Sequence, residues 1–246
     1  MSRETSRRNF VTGGLAAAGG TLAAGALSMA GSSGRAFAEA PEALAAPRPR
    51  PKTPDEALSE LIGGNKRFVQ GKPEQPRRDS VRRTEVAQGQ KPYAIILTCS
   101  DSRLVPEVIF DEGLGDLFVV RVAGNTGSDP ILIGSMEYSV LTFGSVLLMV
   151  LGHSECGAVK STVDVVTKGA TVPGELDSVV QPIVPAVEAV QSQPADQIVD
   201  AAIRQNVTLT QQALGQVSTF ADAVQSGKLK IVGYEYQLKT GKVTPV

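Results

Sequence analysis

Two cysteines and one histidine have the side-chain types and the spacing of a metal site. His153 and Cys156 form an H-x-x-C pair, and 53 residues separate Cys99 from His153. Soft thiolates together with an imidazole suit a zinc ion. Three protein ligands leave one tetrahedral position for water, which is typical of a catalytic zinc site, whereas a structural site usually has four protein ligands. The spacing therefore favours a catalytic zinc centre at Cys99, His153 and Cys156.

The same three residues have plainer interpretations. Cys99 and Cys156 are the only cysteines of the chain. They could form a disulfide in an exported protein, or be small buried core residues. His153 is the only histidine and could be an ordinary hydrogen-bonded core residue. A single histidine excludes any chemistry that needs two imidazoles.

A carboxylate and a guanidinium follow the first cysteine closely. Asp101 lies two residues after Cys99, and Arg103 two residues after that. Such a pair can be bidentate and well oriented. One interpretation is a surface ion pair in a turn. The other is that Asp101 accepts a hydrogen bond from zinc-bound water while Arg103 keeps it ionised. Thiolate ligands weaken zinc as a Lewis acid, so an orienting carboxylate would help to recover reactivity.

Short apolar runs alternate with helical patterns along the chain. The patterns predict strands at residues 93–99, 116–122 and 145–151, helices from Thr53 and at 130–143, 156–167, 176–192 and 196–225, a closing strand at 229–236 and a hairpin at 241–246. This order predicts an α/β fold with a mainly parallel central sheet flanked by helices, preceded by an N-terminal helical arm. Cys99 ends the first strand and His153 follows the third, at the edge where ligands gather in such sheets.

Two sequence motifs carry a resemblance to a known family. C-S-D-S-R at residues 99–103 and G-H-S-E-C-G-A at 152–158 resemble the signature pair of the β-class carbonic anhydrases. The intervening F-V-V-R at 118–121, A-G-N at 123–125 and the Glu137-Tyr138 pair fit the same pattern. The resemblance extends from Pro54 to the C-terminus. It implies that fold and the reversible hydration of carbon dioxide to bicarbonate and a proton by a zinc-bound hydroxide.

The resemblance also implies roles for individual residues. Cys99, His153 and Cys156 match the zinc ligands, and Asp101 with Arg103 matches the dyad beside them. The positions that match substrate-binding residues are Gln90, Phe118, Tyr138 and Gly157. The family builds its active site at a dimer interface, where the arm wraps the neighbour and the residues matching Gln90 and Tyr138 serve the site across that interface. A homodimer or homotetramer is therefore expected.

The sequence departs from the family in two respects. In some members the aspartate of C-S-D-S-R moves onto the zinc, and an effector bicarbonate site uses a tryptophan. This chain has no tryptophan, so we expect the open form with Asp101 on Arg103; Asp101 as fourth ligand at low pH stays an alternative. No second histidine is present to carry protons, so protons should leave through water or external buffer.

Rival functions on the same residues are a carbon disulfide or carbonyl sulfide hydrolase and a zinc-binding protein without catalysis. Pocket access would identify the first, and an intact Asp101–Arg103 dyad argues against the second. A nucleotide loop at residues 122–127 is disfavoured because it lacks the glycine spacing of a dinucleotide fingerprint. The formal net charge of −1 excludes a nucleic-acid binder steered by charge alone.

The first residues have the pattern of an export signal. Arg7 and Arg8 precede an uncharged stretch at residues 9–34, and Ala36-Phe37-Ala38 offers a cleavage site. The paired arginines indicate a twin-arginine signal at residues 1–38 and a periplasmic or extracellular protein. An uncleaved membrane anchor is the alternative; once cleaved, the chain should have no stable membrane association. A Pro- and Ala-rich linker at 39–53 and a catalytic domain at 54–246 complete the predicted organisation.

Overall fold

Five strands form one sheet in the part of the chain that the computed structural model describes, residues 49–246. The strand order is β2-β1-β3-β4-β5; the first four are parallel to their neighbours, and β5 is antiparallel to β4. The strands are β1 (Ala94–Thr98), β2 (Leu117–Arg121), β3 (Leu147–His153), β4 (Lys230–Tyr236) and β5 (Val243–Pro245). This confirms the predicted α/β fold with a mainly parallel sheet.

Helices cover both faces of the sheet. They are α1 (Pro54–Val69), α2 (Ser80–Val86), α3 (Pro106–Ile109), α4 (Pro130–Tyr138), α5 (Gly157–Lys168), α6 (Leu176–Val180), α7 (Val184–Glu188), α8 (Ile198–Gly215) and α9 (Ser218–Gln225). Because strand side chains alternate between the faces, Ala94 and Ile96 join a core with α1, α3, α5 and α7, while Ile95 and Leu97 join one with α4 and α9. Helix α8 contributes to both cores.

Helix α1 starts with a capping box. The Thr53 side chain accepts a hydrogen bond from the Glu56 N–H, and the Glu56 carboxylate accepts one from the Thr53 N–H. Ala57 and Leu61 of this helix are fully buried in the core of the same chain. The predicted arm therefore packs on its own sheet through these residues, and its contact with a neighbouring subunit remains a prediction.

The long predicted helices are interrupted. The helix predicted at 176–192 is two short helices joined by a 3₁₀ turn, because Pro182 and Pro185 lack the N–H that an unbroken helix needs. The region predicted at 196–225 breaks between α8 and α9 at Gln216 and Val217. The helix predicted at 130–143 is α-helical only to Tyr138 and then continues as a π-helical turn.

Two glycines bring helix α8 unusually close to the sheet. A Cβ at Gly152 of β3 would lie 2.5 Å from Val207 Cγ2, and one at Gly233 of β4 would lie 2.9 Å from Val207 Cγ1. Only glycine fits at such separations. The sheet therefore fixes the position of α8 beside the strand that ends in His153.

The signal at residues 1–38 and most of the linker predicted at 39–53 lie outside the described residues. Among residues 49–246, no helix has both the length and the apolar character needed to cross a membrane. Arg50, near the end of the predicted linker, donates hydrogen bonds to the carbonyls of Lys91 and Pro92. The last linker residues are thus attached to the folded body.

Candidate metal centre

The sheet brings Cys99, His153 and Cys156 together at its carboxyl edge. Cys99 directly follows β1, and His153 is the last residue of β3, the adjacent parallel strand. Cys156 is the residue before helix α5. One potential ligand atom from each of the three residues lies within 4.8 Å of the other two, and all three residues are buried. Both cysteines are free thiols in the structure, not a disulfide.

The histidine is oriented by one ring nitrogen and leaves the other available. His153 Nδ1 lies 2.9 Å from the Ser154 carbonyl oxygen, so a proton on Nδ1 donates to that carbonyl and Nε2 keeps its lone pair. Nε2 is buried and has no hydrogen-bond partner among the described residues. Ser154 is held in turn, because its N–H donates to Tyr236 O and its Oγ accepts from the Leu238 N–H. A metal ion would satisfy this nitrogen.

A hydrogen bond between the two cysteine side chains shifts their pKa values in opposite directions. The pKa of Cys99 is lowered, first by a hydrogen bond from the Cys156 thiol and also by the Gly124 N–H, although burial opposes the shift. The pKa of Cys156 is raised by the same hydrogen bond to Cys99 and by burial. A metal ion binds cysteine as the thiolate, so coordination through both sulfurs would release any proton that they still carry.

Asp101 is paired with Arg103 through two hydrogen bonds. Arg103 Nε donates to Asp101 Oδ1 at 2.8 Å and Nη2 donates to Oδ2 at 2.6 Å, while the Arg103 backbone N–H also donates to Oδ1. The Arg103 guanidinium holds the pKa of Asp101 well below its usual range. Asp101 is therefore a carboxylate that can only accept hydrogen bonds, and it lies two residues from the first candidate ligand.

Arg121 is a contributor that the sequence analysis did not single out. It closes β2 opposite Thr98 of β1. Its Nε donates to Cys99 O at 3.1 Å and its Nη2 donates to Asp101 O at 2.6 Å. The guanidinium thereby holds the backbone of the loop that carries both Cys99 and Asp101. The sequence signals of this role are a charged residue at the end of an apolar strand and its place in the F-V-V-R motif at residues 118–121.

Gly157 and the other predicted substrate residues lie in different places. Gly157 directly follows Cys156 as the first residue of α5; it is exposed, and a Cβ there would meet no heavy atom within 4 Å. Gln90 precedes the amino end of β1, and Phe118 pairs with Ile95 near that end. Because a five-residue strand spans about 16 Å, Gln90 lies far from the Cys99 of its own chain.

Tyr138 belongs with Phe118 in an aromatic group. Both rings pack against Phe143, with centroid distances of 5.3 Å for Tyr138 and 6.2 Å for Phe118. Tyr138 is 54% exposed. Of the residues predicted from the resemblance, the structure thus collects Cys99, Asp101, Arg103, His153, Cys156 and Gly157 along one short stretch of the carboxyl edge. It does not bring Gln90, Phe118 and Tyr138 to that place within one chain.

Comparison with known proteins identifies the family from the sequence. The family model described as "Carbonic anhydrase" matches residues 94–243. "Carbonic anhydrase 2" of Mycobacterium tuberculosis (strain CDC 1551 / Oshkosh) is 36% identical over 189 residues, which cover 77% of this chain and 91% of that protein. The carbonic anhydrase of Mycolicibacterium smegmatis is 38% identical over 191 residues, covering 77% and 92%.

The fold is also similar to that of a solved structure. One of two tetrameric β-carbonic anhydrases from the filamentous ascomycete Sordaria macrospora superposes with a TM-score of 0.62. The match covers 77% of this chain and 96% of that one, at 21% sequence identity. At this identity the likeness concerns the fold, and it agrees with the sheet and helices described above.

Proposed function

This chain belongs to the β-carbonic anhydrase family and is an enzyme of that family, and we propose that it hydrates carbon dioxide reversibly with a zinc ion held by Cys99, His153 and Cys156. The single observation that carries the zinc assignment is the buried His153 Nε2, which has no partner among the described residues and belongs to a group with two free sulfurs. Two thiolates and an imidazole are a donor set that zinc prefers.

A bound zinc ion would act as a Lewis acid that lowers the pKa of a water molecule to near neutrality, so that the water can lose a proton and attack carbon dioxide. The residues of the chain orient that water and hold the candidate ligands in place. Asp101 stays ionised because of Arg103. Its Oδ1 already accepts two hydrogen bonds from Arg103, whereas Oδ2 accepts only one and keeps a further lone pair for a hydrogen bond from the water. An acceptor there turns the oxygen lone pair of the water toward the substrate carbon.

The proton that each hydration releases needs a route to solvent. His153 is the only histidine, and its Nδ1 already contacts the Ser154 carbonyl. We therefore propose that protons leave through water or external buffer instead of a side-chain imidazole.

The placement of Gln90, Phe118 and Tyr138 supports an oligomeric active site. These residues lie away from the candidate ligands of their own chain, and the helix that carries Tyr138 also exposes Ile131. We propose a homodimer or a homotetramer in which these residues line the carbon dioxide site of a neighbouring subunit. The tetrameric state of the Sordaria macrospora enzymes is consistent with this assembly. Activity measured on size-separated fractions should be confined to oligomers, and a fully active monomer would refute the shared site.

We also propose that the enzyme acts outside the cytoplasm, because Arg7 and Arg8 precede an uncharged stretch that ends near Ala36-Phe37-Ala38. The full chain expressed in its own type of cell should accumulate outside the cytoplasm as a shortened form. Replacing both arginines with lysine should keep it inside. Equal export of the two forms would contradict a twin-arginine route.

Zinc content and stopped-flow hydration of carbon dioxide, measured on the same samples, test the zinc assignment. Cys156→Ala should lose the metal and with it the hydration activity, because only two ligands remain. Ser161→Ala, an exposed serine on the same helix, is the matched control and should keep both. Full activity of Cys156→Ala without bound metal would overturn the proposal.

A further inference from the structure

A backbone N–H from the turn after β2 contacts the sulfur of a candidate ligand. The Gly124 N–H donates to Cys99 Sγ at 3.4 Å. Gly124 has φ 77° and Asn125 has φ 48°, so two successive residues adopt the left-handed conformation. A Cβ on Gly124 would also lie 2.5 Å from Ile183 Cδ1. The direction of this N–H therefore depends on a local conformation that most residues disfavour.

A buried polar side chain from a distant helix holds this turn. Asn206 of α8 is 3% exposed, and its Nδ2 donates to the Gly124 carbonyl oxygen at 2.8 Å. A buried amide is costly unless it is hydrogen-bonded. The Asn206 amide thus binds the residue whose own N–H contacts Cys99.

The packing of α8 explains why Asn206 can act at this distance. Val207, the next residue, lies against the two glycines of the sheet, and one of them, Gly152, precedes His153. Helix α8 is thus seated beside the strand that carries the candidate histidine ligand. Asn206 links helix α8 to the turn at Gly124, and this turn contacts Cys99, the candidate ligand that follows β1.

We infer that Asn206 is a positioning residue for the metal centre: its hydrogen bond to the Gly124 carbonyl keeps the Gly124 N–H directed at Cys99 Sγ. A hydrogen bond to a ligand sulfur fixes the direction of its lone pairs and reduces the charge it donates to a metal, and such outer contacts tune metal affinity. The inference rests on the proposed zinc site.

The test compares two alanine variants on the same helix. Asn206→Ala removes the bond to Gly124. Gln211→Ala removes a similar side-chain bond, from Gln211 Nε2 to the Ile231 carbonyl at 3.0 Å, which lies on β4 away from the candidate ligands. Zinc affinity is measured by competition with a chromophoric chelator, and the sulfur-to-cobalt absorption band is recorded after loading with cobalt(II).

The expected result is zinc affinity about 10-fold weaker in Asn206→Ala, with a shifted cobalt band, and parent-like values in Gln211→Ala. If Asn206→Ala does not fold, Asn206→Leu takes its place, because it has nearly the same size as asparagine and has no donor at any pH. Parent-like affinity and an unshifted band in the folded Asn206 variant overturn the inference, as do equal changes in both helix positions. A parent protein that binds neither metal overturns the proposed function itself.

Discussion

Two buried polar clusters lie at opposite edges of the same sheet. They differ in whether their polar atoms find partners within the chain. At the amino edge, Asp116 directly precedes β2, and its carboxylate accepts hydrogen bonds from Arg77 and Arg82. Arg77 also binds Glu112, and Arg67 binds Asp111, each at 2.7 Å. At the carboxyl edge, His153 Nε2 has no partner within residues 49–246, and the free sulfurs of Cys99 and Cys156 lie near the same histidine.

The difference separates a structural cluster from a binding site. Buried carboxylates matched by guanidinium groups are compensated within the chain, and their removal affects folding. The cost of burying an unpartnered imidazole nitrogen beside two cysteine sulfurs is offset only when these atoms bind a cation. Changes in the amino-edge cluster should therefore alter stability without altering metal content, and changes at the carboxyl edge should alter metal binding or hydration activity with a smaller effect on stability.

The largest effect on stability is expected from Asp111→Ala. Asp111 is fully buried and accepts hydrogen bonds from Arg67 and from the N–H groups of Glu74 and Gln75. Its loss leaves these donors without an acceptor and should lower the free energy of unfolding by about 3 kcal/mol, as measured by urea denaturation.

The control is Asp55→Ala, which removes an exposed partner of Lys230 and should lower the free energy of unfolding by only a small fraction of that amount. Zinc content should stay at the parent level in both, and a zinc-free Asp111→Ala would contradict the separation of the two clusters.

The corresponding change at the carboxyl edge is Asp101→Asn. The amide has one oxygen acceptor instead of two and can no longer form the charged pair with Arg103. Hydration of carbon dioxide should fall on the order of 100-fold, while the zinc content and the unfolding midpoint stay close to those of the parent. Hydration at the parent rate would show that Asp101 does not orient the attacking water.

The pH dependence of stability should also distinguish the clusters. Burial alone would raise the pKa of Asp111, but hydrogen bonds from Arg67, Glu74 and Gln75 lower it overall. A lowered folded-state pKa stabilises the fold above the unfolded pKa of about 3.9, and this contribution is lost as the pH falls through the folded value. The free energy of unfolding of the parent should therefore decrease below about pH 4 more steeply than that of Asp111→Ala. Parallel curves for the two proteins would rule out this contribution.

The smallest expected effect concerns the lone histidine. If His153 is a ligand, the turnover number should rise several-fold as the imidazole buffer concentration rises at constant ionic strength and pH, because external imidazole supplies the missing proton carrier. Stopped-flow rates over a wide buffer range measure this. Rates that do not change with buffer concentration would point to an internal proton carrier among the residues of the chain.

Local sequence patterns predicted the strands and the order in which strands and helices follow one another. The apolar runs gave β1 and β2 within one or two residues, and the third strand was predicted two residues too early, so that His153 ends β3 instead of following it. The order of strands and helices then placed Cys99 and His153 at one edge. The resemblance supplied the roles of the neighbouring residues.

Contacts between distant segments could not be read from the sequence in the same way. Arg121 donates to the backbone carbonyl of Asp101, 20 positions earlier in the sequence. Asn206 donates to that of Gly124, 82 positions earlier. The arginines of the amino-edge cluster lie in a polar stretch that resembles ordinary solvated surface. Such pairings become visible only when the fold fixes which carbonyl or carboxylate each donor meets.

The most direct test of the central claim is stopped-flow hydration of carbon dioxide by the purified oligomer, with zinc counted in the same preparation. We expect one zinc per chain, activity that disappears when a chelator removes the metal, and recovery when zinc is returned. Undiminished hydration by the zinc-free protein, or a fully zinc-loaded protein with no hydration activity, would contradict it.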